Sequence, residues 1–190
     1  MVDALLQYIK RITTLNEFDN LLVRSYFDCK YFQKGSLLEE QNHRTKNLYF
    51  IKSGFVRSFY INEEEEVTAA IKGPDSMITS FKGFVSDSYS ESNIHCITDC
   101  EIAFISREKY KVLHDESNNW KIFCKAVYEQ EIEFNNQRTL DLLILKAESR
   151  YLKLIKNNSE IVQNVPIQYL ATYLGIKPES LSRIRRKVVS

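Results

Sequence analysis

The sequence predicts an α+β chain from three observations: helical apolar spacing near both ends, a strand-and-turn texture between residues 31 and 105, and a helix-turn-helix over residues 165 to 190. At the start, Leu5, Leu6, Ile9 and Ile12, then Phe18, Leu21, Leu22 and Phe27, recur at spacings of three or four, which predicts lead-in helices within residues 3 to 28. From Tyr31 to Ile105 the chain changes to short runs of aromatic and β-branched residues. Lys34-Gly35, Ser53-Gly54, Gly73-Pro74 and Ser86-Asp87 punctuate them as turns. Within residues 55 to 61, Phe55, Arg57, Phe59 and Ile61 share one strand face, and Val56, Ser58 and Tyr60 share the other. Glu63 to Glu66 then form an acidic tip, read either as a solvated hairpin end or as a contact for a partner such as RNA polymerase.

Helical spacing returns at Arg107 and runs to about Leu145, with a break near Asn118 and Asn119. Trp120, Phe123, Val127 and Phe134 make an apolar seam with Gln130 and Gln137 in step, a pattern suited to a pairing helix and hence to a homodimer. The alternative is that the seam covers the β region of its own subunit. Residues 146 to 164 form another amphipathic helix, with Tyr151, Leu154 and Ile155 facing inward to support the C-terminal segment.

That segment, VPIQYLATYLGIKPESLSRIRRKVVS, is the most informative stretch of the chain. Leu170, Ala171 and Leu174 lie on one face of a first helix, Gly175 breaks it, and Pro178 begins a second. A small residue at Ala171 lets the helices cross closely, and Gly175 tolerates a left-handed turn. In the second helix Leu181, Ile184 and Val188 form the packing stripe, while Glu179, Arg183 and Arg186 project from the other side. This end holds Lys177, Arg183, Arg185, Arg186 and Lys187 against Glu179, so it is basic although the whole chain has 26 basic and 25 acidic side chains. A basic reading helix on an acidic body predicts double-stranded DNA as a partner.

LATYLGIKPESLSRIRRK resembles the DNA-binding end of the Crp/Fnr family of transcription regulators. FQKGSLLEEQNHRTKNLYFIKSGFVRSFY (32 to 60) and ITDCEIAFISREKYKVL (97 to 113) are similar to the same family's sensor. The resemblance implies an N-terminal double-stranded β-helix, jelly-roll-like, over residues 1 to 114, a dimerisation helix over 115 to 145 and a helix-turn-helix domain over 146 to 190. It implies that Lys177, Glu179, Ser180, Arg183, Arg185, Arg186 and Lys187 meet DNA, Glu179 and Arg183 at the bases and the last three nearer phosphates. The family's effector pocket falls here on Thr79, Ser80, Phe81, Ser90 and Ser92. Thr79 or Ser80 stands where that family has the glutamate that grips a ribose, and Ser90, Glu91 or Ser92 stands where it has the arginine that neutralises a cyclic phosphate. With neither anchor, cyclic AMP in the usual manner is not expected; the pocket takes another small molecule or is filled by its own side chains. Many members carry a β-wing beyond the reading helix, but this sequence ends at Ser190 as that helix finishes, so it resembles the short, wingless ones.

Composition excludes several other classes. A hydrophobic content of 44% over 190 residues supports one substantial core and a small second one. No run of about 18 uncharged apolar residues occurs and the N-terminus lacks an apolar signal centre, so neither a membrane association nor export is expected and the location is cytoplasmic. His43, His95 and His114 are far apart, unlike the ligand set of a metal-dependent cupin, and Cys29, Cys96, Cys100 and Cys124 are scattered, with Cys96 and Cys100 read as small, partly buried residues. No phosphate-cradling loop or nucleophile elbow occurs. The chain therefore reads as no enzyme, with no metal and no cofactor. The alternatives are an interaction or ligand-sensing protein that kept the fold without DNA binding, and a cupin-like metal enzyme.

Overall fold

The computed structural model describes residues 1–189; Ser190, the end of the C-terminal segment, lies outside the described residues. The elements run α1 (Val2–Lys10), α2 (Glu17–Tyr26), β1 (Asp28–Phe32), β2 (Leu37–Glu39), β3 (Asn47–Ser53), β4 (Val56–Asn62), β5 (Glu65–Lys72) and β6 (Ser76–Ile78). They continue with α3 (Phe81–Val85), β7 (Asn93–Cys96), β8 (Cys100–Ser106), α4 (Arg107–Glu116), α5 (Asn118–Ile144), α6 (Ala147–Asn157), α7 (Ser159–Asn164), α8 (Ile167–Tyr173) and α9 (Pro178–Val189).

The strands pair antiparallel into two four-stranded sheets, ordered β1-β8-β3-β6 and β2-β7-β4-β5. Ile51, Val56, Ile78, Ile94 and Ile102 pack together between them and close the roll. The first sheet is covered on both faces, because Leu48, Phe50, Met77, Ala103 and Ile105 pack outward against α1, α2, α4 and α5. Two-sided burial is why the β3 run NLYFI is apolar almost throughout instead of alternating. The lead-in segment divides into two helices. Asn16 caps α2, accepting from Asp19 N–H at 2.8 Å, while the Asp19 carboxylate accepts from Asn16 N–H at 3.1 Å. Buried Asp19 then takes the Ser117 hydroxyl at 2.5 Å and the Asn119 amide at 2.7 Å, and so pins α2 to the start of α5.

The structure corrects the assignment of Trp120, Phe123 and Val127 to a dimer interface. Trp120 is 0%, Phe123 1% and Val127 7% exposed, all within the core that joins α5 to the first sheet. Phe134 is half-buried beneath the Lys72 ammonium, 4.2 Å from its ring centroid. The physical reason is that an apolar stripe specifies a buried face without specifying what buries it, and here the stripe covers its own roll. The outward side of α5 instead carries Ile122, Ile132, Leu140 and Leu143, of which Leu143 is 77% exposed. The acidic tip also differs in part from its reading. Glu63 and Glu64 make the turn with positive φ, whereas Glu66 lies in β5 and pairs with Arg57.

Candidate nucleic-acid interface and effector pocket

The helix-turn-helix is built as its punctuation indicates. Gly175 sits at φ +66°, its N–H bonding to Thr172 O at 3.1 Å while Ile176 N–H reaches Ala171 O at 3.0 Å, a pair that closes the end of α8 with a left-handed residue. Leu170, Ala171, Leu174 and Leu181 are buried together with Tyr151 and Leu154 of α6 and Val165, and Ile176, Ile184 and Val188 pack against them. The base of α9 is thereby fixed by apolar contact, which leaves its other side to solvent.

On that open side stand Glu179, Ser180, Arg183 and Arg186, with Lys177 exposed in the turn before them. Among the predicted contacts, Arg185 and Lys187 reach other helices of the domain. Arg185 is half-buried, donating from Nε to the Tyr151 hydroxyl at 3.1 Å and from Nη2 to Val162 O at 3.3 Å, so it braces α9 against α6 and α7. Lys187 reaches both oxygens of Glu148, at 3.0 and 2.9 Å. Arg185 follows Leu181 by one turn and so shares the packing side, a signal already present in the spacing.

The predicted effector residues meet at a cavity of about 520 Å³ between the second sheet, α3 and α5. Thr79, Ser80, Phe81 and Ser92 line it, opposite Tyr128, Glu131 and Ile132 of α5. Ser90 does not; it is buried behind the wall, its hydroxyl donating to Ser92 O at 2.6 Å. The residue that sequence reasoning missed is Glu39, buried at the end of β2. Its carboxyl faces Ser80 N–H at 3.1 Å, the Thr79 hydroxyl at 3.1 Å and the Ser90 hydroxyl at 3.5 Å. Burial pushes its pKa up to about 7, against the pull of those donors and of Arg107. Thr79 has one proton and two acceptors, Glu39 and Asn47 O at 2.9 Å. Both contacts are satisfied when Glu39 is protonated and donates to Thr79. No sequence signal separates Glu39 from exposed Glu40, since the distinction is made by strand pairing and by residues 40 positions away.

The nearby arginine is likewise spent on structure. Arg107 Nη2 donates to Thr45 O at 2.8 Å and Gly83 O at 2.7 Å, and its other arm pairs with Asp87. The polar groups that would meet a phosphate are therefore engaged with a carboxyl of the chain. Cyclic AMP is expected to give no saturable rise in melting temperature; an occupied site at 100 times its dissociation constant would add about 2.7 kcal/mol, so a clear saturable shift contradicts this description of the pocket.

Among the described residues no cluster of three His, Cys, Asp or Glu side chains could hold a metal, and Cys29, Cys96, Cys100 and Cys124 are free thiols. No helix of the described residues is long and apolar enough to cross a membrane.

Residues 29–117 match the family described as cyclic nucleotide-binding domain. Among solved structures, a putative transcriptional regulator of the Crp/Fnr family from Eubacterium rectale superposes with a TM-score of 0.71 at 18% identity, covering 91% of this chain and 83% of that one. CLP, the c-di-GMP responsive global regulator of Xanthomonas campestris, gives 0.71 at 17% identity, with 91% of each chain covered. FixK2 from Bradyrhizobium japonicum gives 0.73 at 15% identity, covering 85% of this chain and 84% of that one. No curated protein matches the sequence. The fold is that of these regulators, roll and helix-turn-helix together.

Proposed function

From a chain that has the fold of the Crp/Fnr transcription regulators, we propose a homodimeric, sequence-specific DNA-binding regulator, with a sensor over residues 1 to 114, a pairing helix over 115 to 145 and a reader over 146 to 190. The observation that carries the reading is the exposed set Glu179, Ser180, Arg183 and Arg186 on a helix whose opposite side is packed down by Leu181. An arginine at 183 can pair both acceptors of a guanine, and a glutamate at 179 can accept from a cytosine amino group. Lys177 and Arg186 flank them in positions suited to phosphates. Arg183→Ala is expected to cost about 1 to 3 kcal/mol on the preferred duplex and to relax preference at one base pair per half-site. Equal losses on preferred and scrambled duplexes would mean that Arg183 touches only the backbone.

Two-fold pairing is assigned to the outward side of α5, because Ile122, Ile132, Leu140 and Leu143 present apolar surface along one helix face. An effector of the 520 Å³ cavity would act by binding the DNA-competent arrangement more tightly than the other. The Thr79 hydroxyl and the Ser80 N–H are already engaged by Glu39, which favours an effector without a phosphate at that wall.

A further inference from the structure

Arg57 is 1% exposed, although it projects from the outer side of β4. Its guanidinium lies between two rings, 4.0 Å from the centroid of Phe59 and 3.6 Å from that of Tyr169 on α8. Nε donates to His95 Nε2 at 2.8 Å, Nη1 donates to the Thr68 hydroxyl at 3.2 Å, and Nη2 pairs with Glu66. Because His95 accepts through Nε2, its ring is neutral with the proton on Nδ1, and it meets the Tyr169 ring in a T-shaped contact, centroids 5.5 Å apart. Thr68 extends the contact: its hydroxyl is 2.8 Å from that of Thr172, and its carbonyl accepts from Arg138 at 3.1 Å, whose guanidinium covers Tyr173 at 4.0 Å. One short piece of the roll thus grips Tyr169 and Thr172 of the first reader helix, while Arg138 of α5, held by the Thr68 carbonyl, covers Tyr173.

The same strand is a wall of the effector cavity. Ala69, Ala70 and Lys72 line that cavity, while Thr68 and Ile71 face the reader. Lys72 pairs with Glu131 of α5 at 2.7 Å, and Glu131 also lines the cavity. The grip therefore shares its backbone with the surface on which a ligand would press. It also has a sign. Glu66 lies one guanidinium away from Tyr169, and the exposed Glu63, Glu64 and Glu65 continue from it at the hairpin tip. In a helix-turn-helix the first helix crosses the DNA backbone. Carboxylates held beside α8 repel phosphates that approach the same helix.

We propose that Arg57, Glu66, His95 and Thr68 form a latch that holds the reader on its own roll in an arrangement disfavouring DNA, and that loss of this grip frees the reader to bind. The inference rests on the proposed DNA-binding role. It is tested with two roll-side variants of the full chain, Thr68→Val and Arg57→Met, which leave the reader's surface unchanged. Amide hydrogen exchange over α8 and affinity for a mixed-sequence DNA duplex are measured on both. The latch predicts faster exchange across α8, unchanged exchange in β3 and β8, and duplex binding at least about fivefold tighter. Thr68→Val is close to isosteric and keeps the test decisive if Arg57→Met fails to fold. Unchanged exchange with DNA binding intact overturns the latch alone, and faster exchange with equal or weaker binding overturns its inhibitory sign. Wild-type and variants that all ignore the duplex overturn the DNA reading, and the inhibitory role with it.

Discussion

Val127→Glu is expected to unfold the sensor half of the protein, not to separate two subunits. Val127 is 7% exposed and packs in one core with Trp120, Phe123 and Phe50. A carboxylate there has no partner and must either ionise in an apolar interior or take a proton, and both outcomes leave a polar group buried without compensation. The cost is about 4 kcal/mol or more, a large part of the roughly 5 to 15 kcal/mol that holds a domain folded. Urea unfolding followed by circular dichroism should show the midpoint collapse. The matching change on the other side of the helix, Leu140→Glu with Leu143→Glu, touches exposed positions and should leave the unfolding midpoint nearly unchanged while shifting sedimentation from dimer to monomer. A folded Val127→Glu that lost only its dimer would return the interface to the inner seam. A dimer surviving the double charge change would remove α5's outward side from the interface.

The second large effect is a pH dependence centred on Glu39. Its folded pKa, about 7, lies above the ordinary value of 4.5, so the fold favours the protonated form. The associated stability is fully present below about pH 4.5 and is lost as the pH rises through 7. Glutamine keeps the shape and hydrogen-bonding capacity but cannot ionise. Glu39→Gln should therefore resemble wild type near pH 4.5 and become progressively more stable than it up to pH 8, by about 3 kcal/mol. For a chain of this length that is a rise of about 6 to 12 °C in melting temperature. A difference that stays flat from pH 4 to pH 8 would show that Glu39 is ionised throughout or that its donors compensate its burial.

These two residues mark where sequence reading is strong and where it stops. The helix-turn-helix was legible because its signals are local: Gly175 ends α8, Pro178 opens α9, and Leu181, Ile184 and Val188 repeat within one helix. The alternation along β4 was legible for the same reason, with Val56 inside the roll and Phe55 and Arg57 facing the reader. Periodicity describes the apolar face of α5 but not its partner: that Trp120, Phe123 and Val127 cover the β-roll depends on how distant segments pack. Composition groups Arg185 with Arg186 and Lys187, whereas helical phase turns Arg185 toward Tyr151. Glu39 and the Arg57 cluster were invisible because each is assembled from segments far apart in the chain, β2 with the Thr79–Ser80 turn, and β4 with α8.

The central claim is that this chain reads DNA sequence as a symmetric pair, and selection from a random duplex pool tests it most directly. The protein should enrich an inverted repeat whose half-site centres lie one helical turn, about 10 to 10.5 base pairs, or a multiple of it apart, and Arg183→Ala should blur one position in each half. Recovery of a pool with no enriched sequence, or of a lone half-site with no symmetric mate, would contradict the account.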